Sequence, residues 1–440
     1  MMKQDEQLMT SRRFAPMFLT QFFGALNDNV YKQALLLVIT YGLIQQQNTP
    51  VSTLNNLAAL LFILPYFFFS ATAGQIADRY ERSQLIRFIK ILEIVIMLIG
   101  SAGFLLGNLW LLLLALFLMG THSTCFGPIK YAILPEILKP QELMSGNALF
   151  QSGTSIAILL GMVLGGAVIA TSEGNLLWIS ITVITIACLG YLCSRFILPQ
   201  KVAAPDLKIN WNFIQTSLET LTYAKRIPVI FIVLLGNSWY WFYGATYLTQ
   251  IPQLTLQNLH ASENVVSLLL TFFSVGIGIG SLLCRKIGGI EINIKMVPYG
   301  AIGLTIFALY LAASLSFVPE RTGDLLSLKD IFTQGAVYYH VMLAVTLLGI
   351  SGGFYIVPLY AMMQAYSPRS HRARVVAANN ILNAVFMVSS AIFSILILSI
   401  LKIDIKILFT ITAVLSAIFS FWLLKRLKPL LENAPNTLED

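Results

Sequence analysis

Asn27, Asp28, Asn29 and Lys32 stand inside an apolar run reaching from about Phe18 to Ile44. An ionised group at a bilayer centre costs roughly 2.5–3.5 kcal/mol even on lenient insertion scales, so such residues usually face a protected interior or a wet cavity. Asp28 and Lys32 are spaced i,i+4, on one helix face. That spacing admits two chemistries. One is a self-satisfied ion pair that orients its helix; the other is a polar site for a charged ligand. Further along, Lys130 ends a run interrupted by Gly127-Pro128. Irregular backbone at membrane depth is tolerated where it lines a cavity, although a lysine near a helix end also snorkels to the surface. Amides recur at i,i+4 as Asn147/Gln151 and Asn379/Asn383, with Asn237 apart from them. They either coat a cavity or bond across helices.

The elements that hold these residues must be membrane helices. The chain has 440 residues, 57% hydrophobic and 11% charged, with a mean hydropathy of +0.77. Soluble domains carry about 25% charged residues, so a soluble core is excluded and an all-α polytopic membrane protein is expected. Twelve spans emerge, near 17–44, 54–77, 84–107, 109–131, 144–171, 174–198, 227–250, 264–287, 294–316, 338–364, 375–400 and 403–426. Turn signals at Asn48-Thr49-Pro50, Gly107-Asn108, Glu173-Gly174-Asn175 and Ser367-Pro368 support the breaks. The net charge of +8 does not point to nucleic acid, because no basic run is interleaved with stacking aromatics. The cations report topology instead: with both termini cytoplasmic, only Arg321, Lys329, Lys402 and Lys406 fall outside. Met1 to Pro16 is polar and reads as no cleaved signal peptide. Cys125, Cys188, Cys193 and Cys284 show no metal-ligand clustering and are expected as free thiols.

Between spans six and seven, Pro199 to Lys225 is the longest cytoplasmic connection. Trp211, Ile214, Leu218 and Leu221 at helical spacing predict an amphipathic helix on the membrane surface. The expected organisation is a six-span half over 1–198, a linker over 199–226 and a second six-span half over 227–440. A second insert, Pro319 to Gln334, faces outward. The halves resemble one another weakly: Gly74 to Arg79 matches Gly280 to Arg285, and Gly146 to Gln151 can be laid over Ala378 to Asn383. Parallel six-span repeats are an architecture of secondary transporters, with the substrate site between halves near the midplane.

The most specific motif is Gly74-Gln75-Ile76-Ala77-Asp78-Arg79-Tyr80-Glu81-Arg82. It resembles the G-x-[LI]-A-D-[RK]-x-x-R signature of the major facilitator superfamily, between spans two and three. Gly74 permits close helix approach, and Asp78 can accept hydrogen bonds from helix-terminal amides or pair with an arginine. The resemblance implies a latch between the two halves on the cytoplasmic side, with Arg79 and Arg82 in the cluster and Arg374 as the candidate partner. Glu93, in the cytoplasmic third of span three, is expected in the same network. In the second half the aspartate is missing (Cys284-Arg285-Lys286), so a matching latch there should be weaker.

Within that superfamily, Gln21 to Asn29 with Tyr31-Lys32, and Phe126-Gly127-Pro128-Ile129-Lys130-Tyr131-Ala132-Ile133-Leu134-Pro135-Glu136, look like the lysophospholipid transporter family of bacterial inner membranes. The resemblance covers most of the first half and thins in the second. It implies inward flipping of lysophosphatidylethanolamine-like lipids by alternating access, for reacylation by a partner acyltransferase. Such a ligand has one acyl tail, a phosphate and an ammonium. Asp28 could pair the ammonium while Lys130 or Lys32 neutralises the phosphate, through charge-assisted bonds. Asn27, Tyr131 and the amides Asn147, Gln151, Asn237, Asn379 and Asn383 complete the candidate site. Trp241 and its aromatic neighbours suit a tail path, or an interfacial belt.

A second reading is a facilitator-fold carrier of a small soluble solute, such as a drug, siderophore or metabolite, with proton coupling. His122 is then a relay candidate, or simply a packed histidine. A third, the acyltransferase itself, fails on spacing. His122, His260, His340 and His371 are followed five residues on by Gly127, Val265, Val345 and Val376, so no catalytic His–Asp pair of that type exists. No nucleotide-binding loop, metal site or cofactor is expected.

Overall fold

The computed structural model describes residues 8–40, 51–171, 175–289, 294–319, 321, 323–333 and 335–432. The turn at Asn48-Thr49-Pro50, residues 41–44 of the first expected span, 173–174 and part of the outward insert lie outside this set. The long helices are α1 (Ala15–Thr40), α2 (Val51–Arg79), α3 (Arg82–Leu105), α4 (Leu109–Ala132), α5 (Leu143–Thr171) and α6 (Leu177–Ser194). They continue with α7 (Pro228–Gln253), α8 (Glu263–Gly288), α9 (Val297–Leu315), α10 (Ala336–Ala365), α11 (Arg372–Ser394) and α12 (Ile405–Glu432). Among the described residues, 11 helices are long and apolar enough to cross a membrane. The helix outside that set is α1, which has 26 residues but is diluted by Asn27, Asp28, Asn29 and Lys32. The twelve-span expectation thus meets eleven on apolarity, and the twelfth carries the polar cluster.

Local chemistry explains the turns. Asn108 caps α4 by accepting from the Leu111 N–H at 3.2 Å, after Gly107 takes a positive φ of 62° that an L side chain would resist. Glu81 caps α3 through the Ser83 and Gln84 N–H groups at 2.8 and 2.9 Å.

The packing is a repeat with a shift of six. In the first half α1 packs on α5 and α6, α2 on α4, and α3 on α4 and α6. In the second half α7 packs on α11 and α12, α8 on α10, and α9 on α10 and α12. The halves meet through α2 on α11 and α5 on α8, with α4 on α11 and α5 on α10 beside them. Adding six to every label and exchanging the halves maps these contacts onto themselves. The fold is therefore two pseudo-symmetric bundles, a relation the sequence shows only faintly. Core packing needs only apolar surface, so the two halves can share an architecture without sharing residues.

The linker contains the helix Phe213–Lys225. Ile214 and Leu218 on it, and Trp211 just before it, are exposed, while Thr216, Thr220 and Ala224 are buried against the bundle. Small residues inward and large apolar residues outward suit a helix lying at a lipid surface. The described part of the insert between α9 and α10 holds a six-residue helix, Leu328–Thr333, and is tied to the start of α8 by the Ala261–Leu326 bridge.

Candidate functional site

Two polar layers occupy the first half. The deeper one is centred on an ion pair: Glu93 lies between Lys90 Nζ at 2.5 Å and the Asn27 amide at 2.9 Å, with His122 Nε2 at 3.4 Å. Lys90, Glu93, Asn27 and His122 are all buried. Room for the Lys90 ammonium comes from Gly24 and Gly190, where an added Cβ would stand 2.8 and 3.2 Å from Nζ. Glu93 is therefore removed from the latch to which the sequence assigned it. It neutralises a buried ammonium in the bundle, because it lies about three turns of α3 beyond Arg82. Asn27 likewise belongs to this interior network.

The second layer lies beside it. Asp28 accepts a hydrogen bond from Ser123 on α4 at 2.7 Å. Its other oxygen is buried and has no hydrogen-bond partner among the described residues. No ion pair joins Asp28 to Lys32 there. Lys32 Nζ instead stands over the Phe62 ring at 4.5 Å, and Lys130 Nζ over the Tyr131 ring at 5.1 Å. The self-satisfied Asp28–Lys32 pair is not formed. Lys32, His122 and Lys130 nonetheless each lie within electrostatic reach of the Asp28 carboxylate.

The second half offers a neutral surface. Tyr360 on α10 stacks on Tyr131 with ring centroids 4.6 Å apart and planes 6° from parallel. Trp241 Nε1 lies 3.4 Å from the Tyr360 hydroxyl. Asn237 donates to Asn379 at 3.1 Å. Turning the Asn383 amide lets its oxygen accept from Asn379 and Trp241 at 3.0 and 3.1 Å, and its nitrogen donate to Ser238 at 2.9 Å. These amides join α7 to α11. Asn147 does something else: it exchanges two hydrogen bonds with Gln364 on α10, at 2.7 and 3.0 Å, and so bridges the halves. Gln151 is half-buried on α5 and joins none of these networks.

The latch is at the end of the bundle that carries both termini. Asp78, fully buried, accepts at Oδ1 from Arg82 Nη2 at 3.2 Å and the Ala373 N–H at 3.1 Å. At Oδ2 it accepts from the Arg374 N–H at 3.3 Å and Arg374 Nε at 3.2 Å. A carboxylate from α2 thus sits on the first amides of α11, where the helix dipole favours negative charge. Gly74 makes this approach possible, since an added Cβ would stand 2.8 Å from Ala377 Cβ and 3.0 Å from the Ala373 carbonyl oxygen. Arg79 takes no part in the Asp78 cluster and lies over the Tyr80 ring. At the symmetry-related crossing Arg285 donates to Ser145 at 2.6 Å, and Ser152 to the Gly278 carbonyl at 2.9 Å. These bonds lie in the terminus-side parts of their helices, so the bundle is closed at that end.

Residues that the sequence reading missed include Lys90, Ser123, Glu136, Gln364 and Tyr360. Lys90 was accessible through its i,i+3 spacing to Glu93. Glu136, which pairs with Arg82 and lies 3.5 Å from Arg369 Nε, stood inside a quoted motif without a role. Ser123, Gln364 and Tyr360 carry no sequence signal beyond being polar in apolar helices.

Sequence comparison decides the family. The profile described as Major Facilitator Superfamily matches residues 17–255 and 244–439. The chain belongs to the major facilitator superfamily. Facilitator relatives include the lysophospholipid transporter LplT of Escherichia coli (strain K12 / DH10B), 25% identical over 365 residues that cover 82% of each chain. LplT of Shigella sonnei (strain Ss046) matches at the same identity and coverage. Facilitator structures share the fold. The Escherichia coli fucose:proton symporter FucP superposes with a TM-score of 0.68 at 14% identity, over 94% of this chain and 98% of that one. A bacterial homologue of the iron transporter ferroportin, in an outward-facing state, gives 0.68 at 14% identity, over 96% and 100%. The chain is a multi-pass membrane transporter.

Proposed function

We propose that this transporter flips lysophospholipids of the lysophosphatidylethanolamine type across a bacterial inner membrane by alternating access. The observation that carries the reading is the unpaired charge in the first half. Lys32 and Lys130 each lie within reach of Asp28 without an ion pair to it among the described residues, while the facing surface of the second half is aromatic and amide. A charge at membrane depth without a partner is costly, and a zwitterionic headgroup supplies both missing partners at once: an ammonium for Asp28 and a phosphate for Lys130 and Lys32. Tyr131, Trp241 and the amides Asn237, Asn379 and Asn383 form the opposite wall, with Gln151 at its margin. The relatives named for lysophospholipid transport support the same substrate class.

In this reading both termini lie in the cytoplasm, with halves over 1–198 and 227–440 joined by the linker 199–226. The closed end is then cytoplasmic and the form outward-facing. Gly74, Asp78, Arg82 and Arg374 gate that side, and Asn147 reinforces it. An acyltransferase that consumes the delivered lipid is the natural functional partner, since removal of product keeps flipping directional. Proteoliposomes containing the purified chain test the substrate: labelled lysophosphatidylethanolamine in the outer leaflet should become protected from extraction far faster than in empty liposomes. Protection equal to that of empty liposomes would reject the assignment.

A further inference from the structure

The structure has a cavity that the transport reading does not use. It lies at the terminus-bearing end, has a volume of about 660 Å³, and is walled by three elements. Gln75 comes from α2, Glu219, Tyr223 and Arg226 from the linker segment, and His371 and Arg374 from the start of α11. Its interior is cationic. Arg226 is exposed and forms no ion pair among the described residues. Arg374 commits Nε to Asp78 and Nη2 to the Ser370 carbonyl, while Nη1 bonds to nothing in that set. Two arginines, Arg226 and Arg374, line it against one carboxylate, Glu219. The rim is apolar. Ile214 and Leu218, each 61% exposed, line the cavity edge, and Trp211 is 72% exposed beside them.

Cations inside an apolar rim, at the level of a membrane surface, describe a receptor for an anionic amphiphile. We propose that this cavity binds the phosphodiester of an anionic phospholipid from the adjoining leaflet and thereby stabilises the closed latch. The direction follows from the walls. Gln75 belongs to the first half and His371 and Arg374 to the second, so the cavity is complete only while α2 and the start of α11 are together. A ligand that binds one of two states shifts the population towards it. The tyrosine Tyr223, stacked on His371 with centroids 4.2 Å apart, couples the linker helix to α11, so that loading the linker side is felt at the latch.

The test uses the full chain in nanodiscs, with spin labels at Gln84→Cys and Lys425→Cys in a background lacking the four native cysteines. Distances are measured in phosphatidylcholine alone and with phosphatidylglycerol added. Phosphatidylglycerol should raise the closed-to-open ratio by about fivefold, the effect of one arginine near an anionic surface. Arg226→Gln should remove that increment, and Arg226→Lys, which keeps the charge, should retain most of it. Glycerol phosphate added to phosphatidylcholine discs should have no effect. An unchanged ratio on adding phosphatidylglycerol, or an equal increment in Arg226→Gln, would overturn the site. An equal response to glycerol phosphate would overturn the lipid as its ligand.

Discussion

The two halves share a packing scheme but not an interior. Within the membrane the first half carries Asp28, Lys32, Lys90, Glu93 and Lys130. In the second half α7, α10 and α11 present Asn237, Trp241, Tyr360, Asn379 and Asn383 instead. Identical architecture with opposite chemistry separates what the fold requires from what the substrate requires. Helix packing is met by both halves alike. Charge is kept in one, where it is costly, and within that half it is divided again. Lys90 and Glu93 neutralise each other, whereas Asp28, Lys32 and Lys130 form no ion pair among the described residues.

The latch crossings differ in the same instructive way. Asp78 meets the N-terminal amides of α11, a placement the helix dipole favours. At the related crossing a cation, Arg285, meets Ser145 near the N-terminus of α5, which the dipole does not favour. The dipole thus favours the Asp78 crossing over the Arg285 one, an asymmetry that would bias the proposed rocking of the two halves.

The largest effect should come from the buried Lys90–Glu93 pair. Glu93→Gln leaves the Lys90 ammonium buried without its carboxylate, a loss of about 3–5 kcal/mol for a broken buried pair. A steep fall in melting temperature, with little folded protein recovered, is the expected result. Lys130→Gln makes the contrasting case. It should leave the melting temperature near that of the parent yet cut transport of lysophosphatidylethanolamine and lysophosphatidylglycerol alike by roughly tenfold to a hundredfold, the loss of one hydrogen bond to a charged group. If Lys130→Gln instead lost stability as Glu93→Gln does, the division of the first half into structural and ligand-facing charge would fail. Asp78→Asn should act more modestly, since an amide oxygen still accepts part of the bonding. A shift of about tenfold towards the form open at the terminus-bearing end, read by label distances with the fold intact, would support the clasp. An unchanged distribution would remove Asp78 from gating.

Much of this was legible in the sequence, and for identifiable reasons. Gly74 and Asp78 stood in a motif whose spacing encodes a helix crossing, and the structure does bring Arg374 to Asp78. The exposed apolar face of Phe213–Lys225 was readable from 3.6-residue periodicity. What was not legible depends on tertiary proximity. Asn147 and Gln364 are 217 residues apart, and nothing local marks either as the other's partner. Glu93 lies about three turns of α3 beyond Arg82, too deep for the latch, and its partners Asn27 and His122 come from other helices that nothing local to α3 marks. Asp28 and Lys32 share a face, yet Ser123 and Phe62 from other helices claim them separately, and i,i+4 spacing cannot reveal such competitors.

The central claim is that Asp28 reads the ammonium of the headgroup while Lys130 reads the phosphate. The most direct measurement is uptake of lysophosphatidylethanolamine and lysophosphatidylglycerol by Asp28→Asn, beside a melting curve in detergent. Only the first lipid carries an ammonium, so the account expects a folded variant with its melting temperature preserved and a much larger loss for lysophosphatidylethanolamine. Equal loss of both lipids, tracking a lowered melting temperature, would contradict it and return Asp28 to a structural role.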